Sequence, residues 1–63
     1  MIELTKLNGK IVTVNAEAIL TVEETPDTVV SLNTGVKLLV KESRKEITER
    51  VILYKKEILK GIL

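Results

Sequence analysis

The sequence predicts an α+β domain: a small antiparallel five-stranded sheet, wound as a meander, followed by one C-terminal amphipathic helix. Three observations predict it. Residues 2 to 40 alternate apolar and polar side chains with the period of a strand. Residues 44 to 60 repeat apolar side chains with the period of a helix. Turn residues punctuate the first stretch at Asn8-Gly9, Thr25-Pro26-Asp27 and Asn33-Thr34-Gly35. A chain of 63 residues holds one domain, residues 1–63, whose core is necessarily small.

Strands are expected near 2–6, 10–14, 19–24, 28–32 and 36–40. For the first hairpin, a two-residue Asn8-Gly9 loop would mix polar and apolar residues on both faces. A three-residue Leu7-Asn8-Gly9 loop sets Leu4 against Val12 and Ile2 against Val14, with Glu3, Thr5 and Thr13 on the other side. A one-residue slip flips every side chain, so the pattern selects the three-residue loop with Gly9 at positive φ. The stretch Asn15-Ala16-Glu17-Ala18 has poor strand propensity and reads as a longer connection.

The same reasoning across Thr25-Pro26-Asp27 pairs Val22 with Val30 and Leu20 with Leu32. Across Asn33-Thr34-Gly35 it pairs Leu32 with Val36 and Val30 with Leu38. One apolar face results: Ile2, Leu4, Val12, Val14, Leu20, Val22, Val30, Leu32, Val36, Leu38 and Val40.

The helix opens at Ser43, with Glu46 three residues on to complete a capping box. Ile47, Val51, Tyr54 and Ile58 recur on one side and should cover the sheet. Glu46 and Arg50 stand at the spacing of an ion pair. Lys55, Lys56 and Lys60 suit the negative end of the helix dipole, and Gly61 is expected to terminate the helix.

Composition excludes more than it suggests. The chain has no Cys and no His, so thiolate metal sites, disulfides and the commonest general base are all absent. Its net charge of +1, from 10 basic and 9 acidic residues, offers no bulk attraction to nucleic acid or anionic lipid. Lys6 and Lys10 interrupt the first apolar stretch, so neither a secretory leader nor membrane insertion is expected, and the reading is cytoplasmic. Glu23, Glu24 and Asp27 read as a solvated hairpin tip rather than a metal or acid–base cluster. No catalytic residue, metal or cofactor is expected.

Hydrophobic residues nevertheless make up 44% of the chain, almost all aliphatic. One sheet face and one helix cannot hide them all. The same registers leave Ile11, Ile19, Val29 and Leu39 on the opposite sheet face, Leu53 off the main helical stripe, and Ile62 and Leu63 at the end. These seven residues are the candidate interface, with a second copy of the chain or with another protein. Arg44 and Lys45 in the first helical turn oppose the dipole and hint at an acidic partner.

Three phrases stand in order along the chain: Leu7-Asn8-Gly9, Val22-Glu23-Glu24-Thr25-Pro26-Asp27-Thr28, and Val40-Lys41-Glu42-Ser43 before the helix. With Asn15-Ala16, Gly35, Val51-Ile52 and Tyr54-Lys55, they resemble the FlbD/SwrD family of small bacterial flagellar motility proteins. The resemblance covers almost the whole chain except the Gly61-Ile62-Leu63 tail. It implies a non-enzymatic, cytoplasmic accessory factor for flagellar and swarming motility. It implies a flagellar motor or stator component as partner, and it supplies no residue-level site. An alternative resemblance is to the carbon storage regulator CsrA, a small RNA-binding homodimer of five strands and a helix. Lys6, Lys10 and Arg44 would be the basic contacts in that reading. The near-neutral charge and the Lys10 that follows Gly9 weigh against it.

Overall fold

In a computed structural model, residues 1–62 are described, except for the side chain of Ile62. The element order is β1 (Ile2–Thr5), β2 (Ile11–Val14), a 3₁₀ turn (Ala16–Ala18), β3 (Ile19–Glu24), β4 (Thr28–Leu32), β5 (Lys37–Val40) and α1 (Arg44–Ile62).

The first hairpin has the register that the apolar pattern demands. Ile2 pairs with Val14 and Leu4 with Val12. The Lys6 N–H donates to the Lys10 carbonyl at 2.8 Å, enclosing a three-residue loop. Gly9 takes φ +90°, a conformation that costs a residue with a Cβ about 1–2 kcal/mol. Gly35 does the same at φ +91° in the third turn. The Thr25–Pro26 peptide is cis.

The expected single meander is not what forms. The strands make two antiparallel sheets, β1-β2 and β3-β4-β5. The cause lies between β2 and β3. Asn15 caps the 3₁₀ turn, its Oδ1 accepting from the Glu17 N–H at 3.0 Å, and Ala16 is buried. This turn carries the chain off the edge of β2 before β3 can pair with it. The hairpin instead reaches the far side of the other sheet. Lys6 bridges Val40, the Leu7 N–H donates to the Leu39 carbonyl at 3.3 Å, and the Lys41 N–H donates to the Thr5 carbonyl at 2.8 Å. The two sheets are thus stitched where β1 and β5 end.

A second departure lies inside β3. Val22 pairs with Val30 as expected, but the register shifts between Ile19 and Thr21. Ile19, not Leu20, stands opposite Leu32. The extra residue of the bulge exchanges the two faces. Ile19 therefore packs, half-buried, against the core, and Leu20 is 67% exposed. In the third hairpin Val30 pairs with Leu38, yet Val36 at the turn is exposed.

The core is small and continuous: Ile2, Leu4, Val14, Ala16, Val30, Val40 and Ile47 are buried. Val12, Val22, Leu32, Leu38, Val51 and Tyr54 pack around it. Each fully buried aliphatic contributes roughly 1.5–3 kcal/mol on area bookkeeping.

The capping box forms as its spacing predicts. The Glu46 N–H donates to Ser43 Oγ and the Ser43 N–H donates to Glu46 Oε1, each at 3.1 Å. With Glu46 so engaged, the expected Glu46–Arg50 pair gives way; Arg50 pairs with Glu42 instead. Gly61 lies within α1 and lacks the positive φ of a terminating glycine. Nineteen helical residues span about 28 Å at 1.5 Å per residue, longer than the sheets they cover. The molecule measures 40 × 21 × 19 Å. Its radius of gyration is 11.9 Å, against about 10.6 Å for a globular chain of this length. The far half of α1 overruns the core, and Ile58, expected on the buried stripe, is 40% exposed.

Candidate protein interface

Val40 is the last residue of β5, so the chain must turn at Lys41-Glu42 to enter α1. That turn drops Glu42 onto the end of β1, where the residue is only 6% exposed. The Thr5 N–H donates to both carboxylate oxygens, at 2.8 and 2.9 Å. Arg50 Nη1 donates to Glu42 Oε2 at 3.0 Å and to the Glu3 carbonyl at 2.7 Å. One carboxylate and one guanidinium thereby tie β1, the β5–α1 joint and the second turn of α1 together. Burial raises the Glu42 pKa, but hydrogen bonds from Thr5 and from its own backbone, with the Arg50 contact, outweigh it, and the net shift is downward. A carboxylate held below its ordinary range stays ionised at neutral pH and is a poor proton donor. The node anchors structure.

Above this node, an open groove of about 470 Å³ runs between the first hairpin and α1. Met1, Ile11, Leu53 and Tyr54 give it apolar walls, and Arg50 and Glu57 give it polar ones. Ile11 is 67% exposed and Leu53 is 59% exposed. Two residues singled out by the sequence for the same reason, one left over on a strand and one on the helix, thus border a single concavity.

The other candidates are distributed. Val29 pairs with Leu39 on adjacent strands; Leu39 is exposed and Val29 half-buried. Leu39 shares a separate, smaller hollow with Lys6, Leu7 and Lys37. Ile19 faces inward, as described above. The Ile62 side chain and Leu63 lie outside the described residues. Of the basic trio, Lys6 borders the Leu39 hollow and Lys10 flanks the β2 edge. Arg44 lines a third concavity with Glu24, Lys45 and Thr48. The Arg44 N–H donates to Glu24 Oε1 at 2.8 Å, so a tip carboxylate completes the helix N-terminus. Among the described residues, no three His, Cys, Asp or Glu side chains come together to hold a metal, and no helix is long and apolar enough to cross a membrane.

Besides Val36 and Ile58, sequence reasoning missed the exposed aliphatics Leu20, Ile52 and Leu59. It placed Leu20 on the core face and left Ile52 and Leu59 out of the candidate interface. Ile52 and Leu59 are seven apart, a helical repeat that was available to signal a second apolar side. It also missed Glu42, whose partners Thr5 and Arg50 lie 37 residues before it and 8 after it.

The chain matches a family model described as FlbD, flagellar and swarming motility proteins, over residues 1–59. No curated protein and no solved structure matches it. The match supports a role in flagellar or swarming motility, and the chain belongs to the FlbD family.

Proposed function

We propose that this member of the FlbD family is a non-enzymatic, cytoplasmic accessory factor for flagellar and swarming motility that works by binding other proteins. Its partner is a component of the flagellar motor, and the function served is motor power through the stator units. The family match over residues 1–59 is the observation that carries this reading. The groove bordered by Ile11 and Leu53 supports the binding mode, because it presents aliphatic side chains beside a fixed Arg50–Glu42 pair. Apolar walls with a few placed polar groups are what a protein-binding pocket needs.

Deletion of the gene tests the reading. Swimming speed should fall while flagellar filaments still assemble. Normal swimming in the deletion strain overturns the motor role, and loss of filaments moves it to assembly.

A further inference from the structure

The far half of α1 carries a strip that the groove does not use. Ile52, Lys55, Lys56 and Leu59 follow one another at spacings of three, four and seven, so they are neighbours on one side of the helix. By the same spacings Ile58 adjoins Lys55 and Lys60 adjoins Lys56. All six are exposed, with Ile52 at 48%, Ile58 at 40% and Leu59 at 65%. Past Glu49 the acidic residue of α1 is Glu57, and it lies on the groove side with Arg50, Leu53 and Tyr54. None of the three concavities described above includes Ile52, Ile58 or Leu59.

Charge is divided along the chain in the same way. Residues 51–63 hold three lysines and one glutamate, a local charge of +2. Residues 1–50 hold 7 basic and 8 acidic residues, a charge of −1. The near-neutral total thus conceals a basic, aliphatic end, borne by the part of the helix that overruns the sheets.

That pattern selects a partner chemistry. The core of a protein interface is depleted in lysine and is built around anchors that fill pockets. Lysines interleaved with aliphatics suit a headgroup layer instead. The aliphatic tips enter the acyl boundary, the lysine stems lie along them, and the ammonium groups stay at the phosphates. We propose that the far half of α1 docks on an anionic phospholipid surface through Ile52, Ile58 and Leu59, with Lys55, Lys56 and Lys60 as the charged contacts. The helix lies on the bilayer and does not cross it, in keeping with the lack of a described helix long and apolar enough to span one. The proposal stands apart from the motility reading and does not depend on it.

The test is co-sedimentation of the full chain with two kinds of vesicle, phosphatidylcholine alone and phosphatidylcholine mixed equally with phosphatidylglycerol. The chain should bind the mixed vesicles and not the neutral ones, and added salt should weaken the binding. The combined variant Lys55→Gln, Lys56→Gln, Lys60→Gln should lose at least about tenfold in affinity, since each lysine near an anionic surface contributes roughly fivefold. Leu59→Ser should lose about tenfold through its apolar area. The combined variant Lys37→Gln, Lys41→Gln, on exposed lysines at β5, should bind as the original does. Circular dichroism checks that each variant is folded. The chain has no cysteine, so an environment-sensitive dye can be placed on Leu59→Cys or, at the exposed β3–β4 tip, on Asp27→Cys. Mixed vesicles should shift the emission of the first to the blue and leave the second unchanged. Equal binding to both vesicles, or to neither, overturns the proposal. So does binding that survives the triple lysine variant or Leu59→Ser, that is lost with Lys37 and Lys41, or that shifts both dyes alike. A dimer of the free chain that Leu59→Ser abolishes would assign the strip to a second copy and overturn it too.

Discussion

The first two turns of α1 and the last three belong to one helix but to different environments. At the near end Ile47 is 1% exposed against Leu4, Val30 and Val40, and Arg50 is clamped to Glu42 and Glu3. At the far end Leu53, Ile58 and Leu59 are exposed, and the helix runs past the sheets. The amino acids are alike; the difference is what lies beneath them. A domain this small has a core for about half of its aliphatic stripe. The near end holds the fold, and the far end leaves its aliphatic side chains exposed.

Truncations should separate the two ends most sharply. Ile47→Ala should cost about 3 kcal/mol in urea unfolding, from lost transfer energy and the cavity it leaves. That is a large fraction of the stability of a chain this short, at roughly 0.05–0.15 kcal/mol per residue. Leu59→Ala should change stability by no more than about 0.5 kcal/mol. Equal effects at the two positions would show that the far end is packed after all.

Next in size is the Glu42 node. Glu42→Gln should destabilise the fold by about 2 kcal/mol, because a buried acceptor loses its charge and Arg50 its partner. The same residue sets a pH dependence. Its pKa is lowered on folding, so its contribution is fully present above the ordinary glutamate value of about 4.3 and is lost as pH falls through the lowered value. Stability measured against pH should therefore drop on the acid side in the native chain and drop less in Glu42→Gln. An unchanged acid limb would remove Glu42 from the account.

Smaller effects belong to the helix start and the first turn. Ser43→Ala should cost about 1 kcal/mol by removing the hydroxyl that accepts from the Glu46 N–H. Gly9→Ala should cost a similar amount, about 1 kcal/mol, through strain alone, since no atom outside its neighbours lies within 4 Å of the added Cβ. Thermal melts of both variants would check these values.

Local rules made much of this fold legible. Gly9 at positive φ and the three-residue loop followed from keeping Leu4 and Ile2 on one face. The Ser43–Glu46 box followed from spacing. What failed was non-local. The pairing of β1 with β5 rather than β2 with β3 depends on where the Ala16–Ala18 turn points the chain, and poor strand propensity signals a turn without giving its direction. The exchange of Ile19 and Leu20 comes from one inserted residue that no alternation pattern reveals. The Glu42–Thr5–Arg50 node joins residues far apart in sequence, and nothing in the phrase Val40-Lys41-Glu42-Ser43 names Thr5. For the interface, the surplus of aliphatics was readable and its arrangement was not: Ile11 and Leu53 share a groove, Leu39 lies in a separate hollow, and Ile19 joins the core.

The central claim is that the exposed aliphatics serve binding and the buried ones serve the fold. Its most direct measurement is swimming speed in a deletion strain complemented with the Ile11→Ser, Leu53→Ser double variant, whose folding is checked by urea unfolding of the purified chain. The account predicts a chain as stable as the original, filaments assembled, and swimming no better than in the deletion strain. Full restoration of swimming by a folded double variant would contradict it.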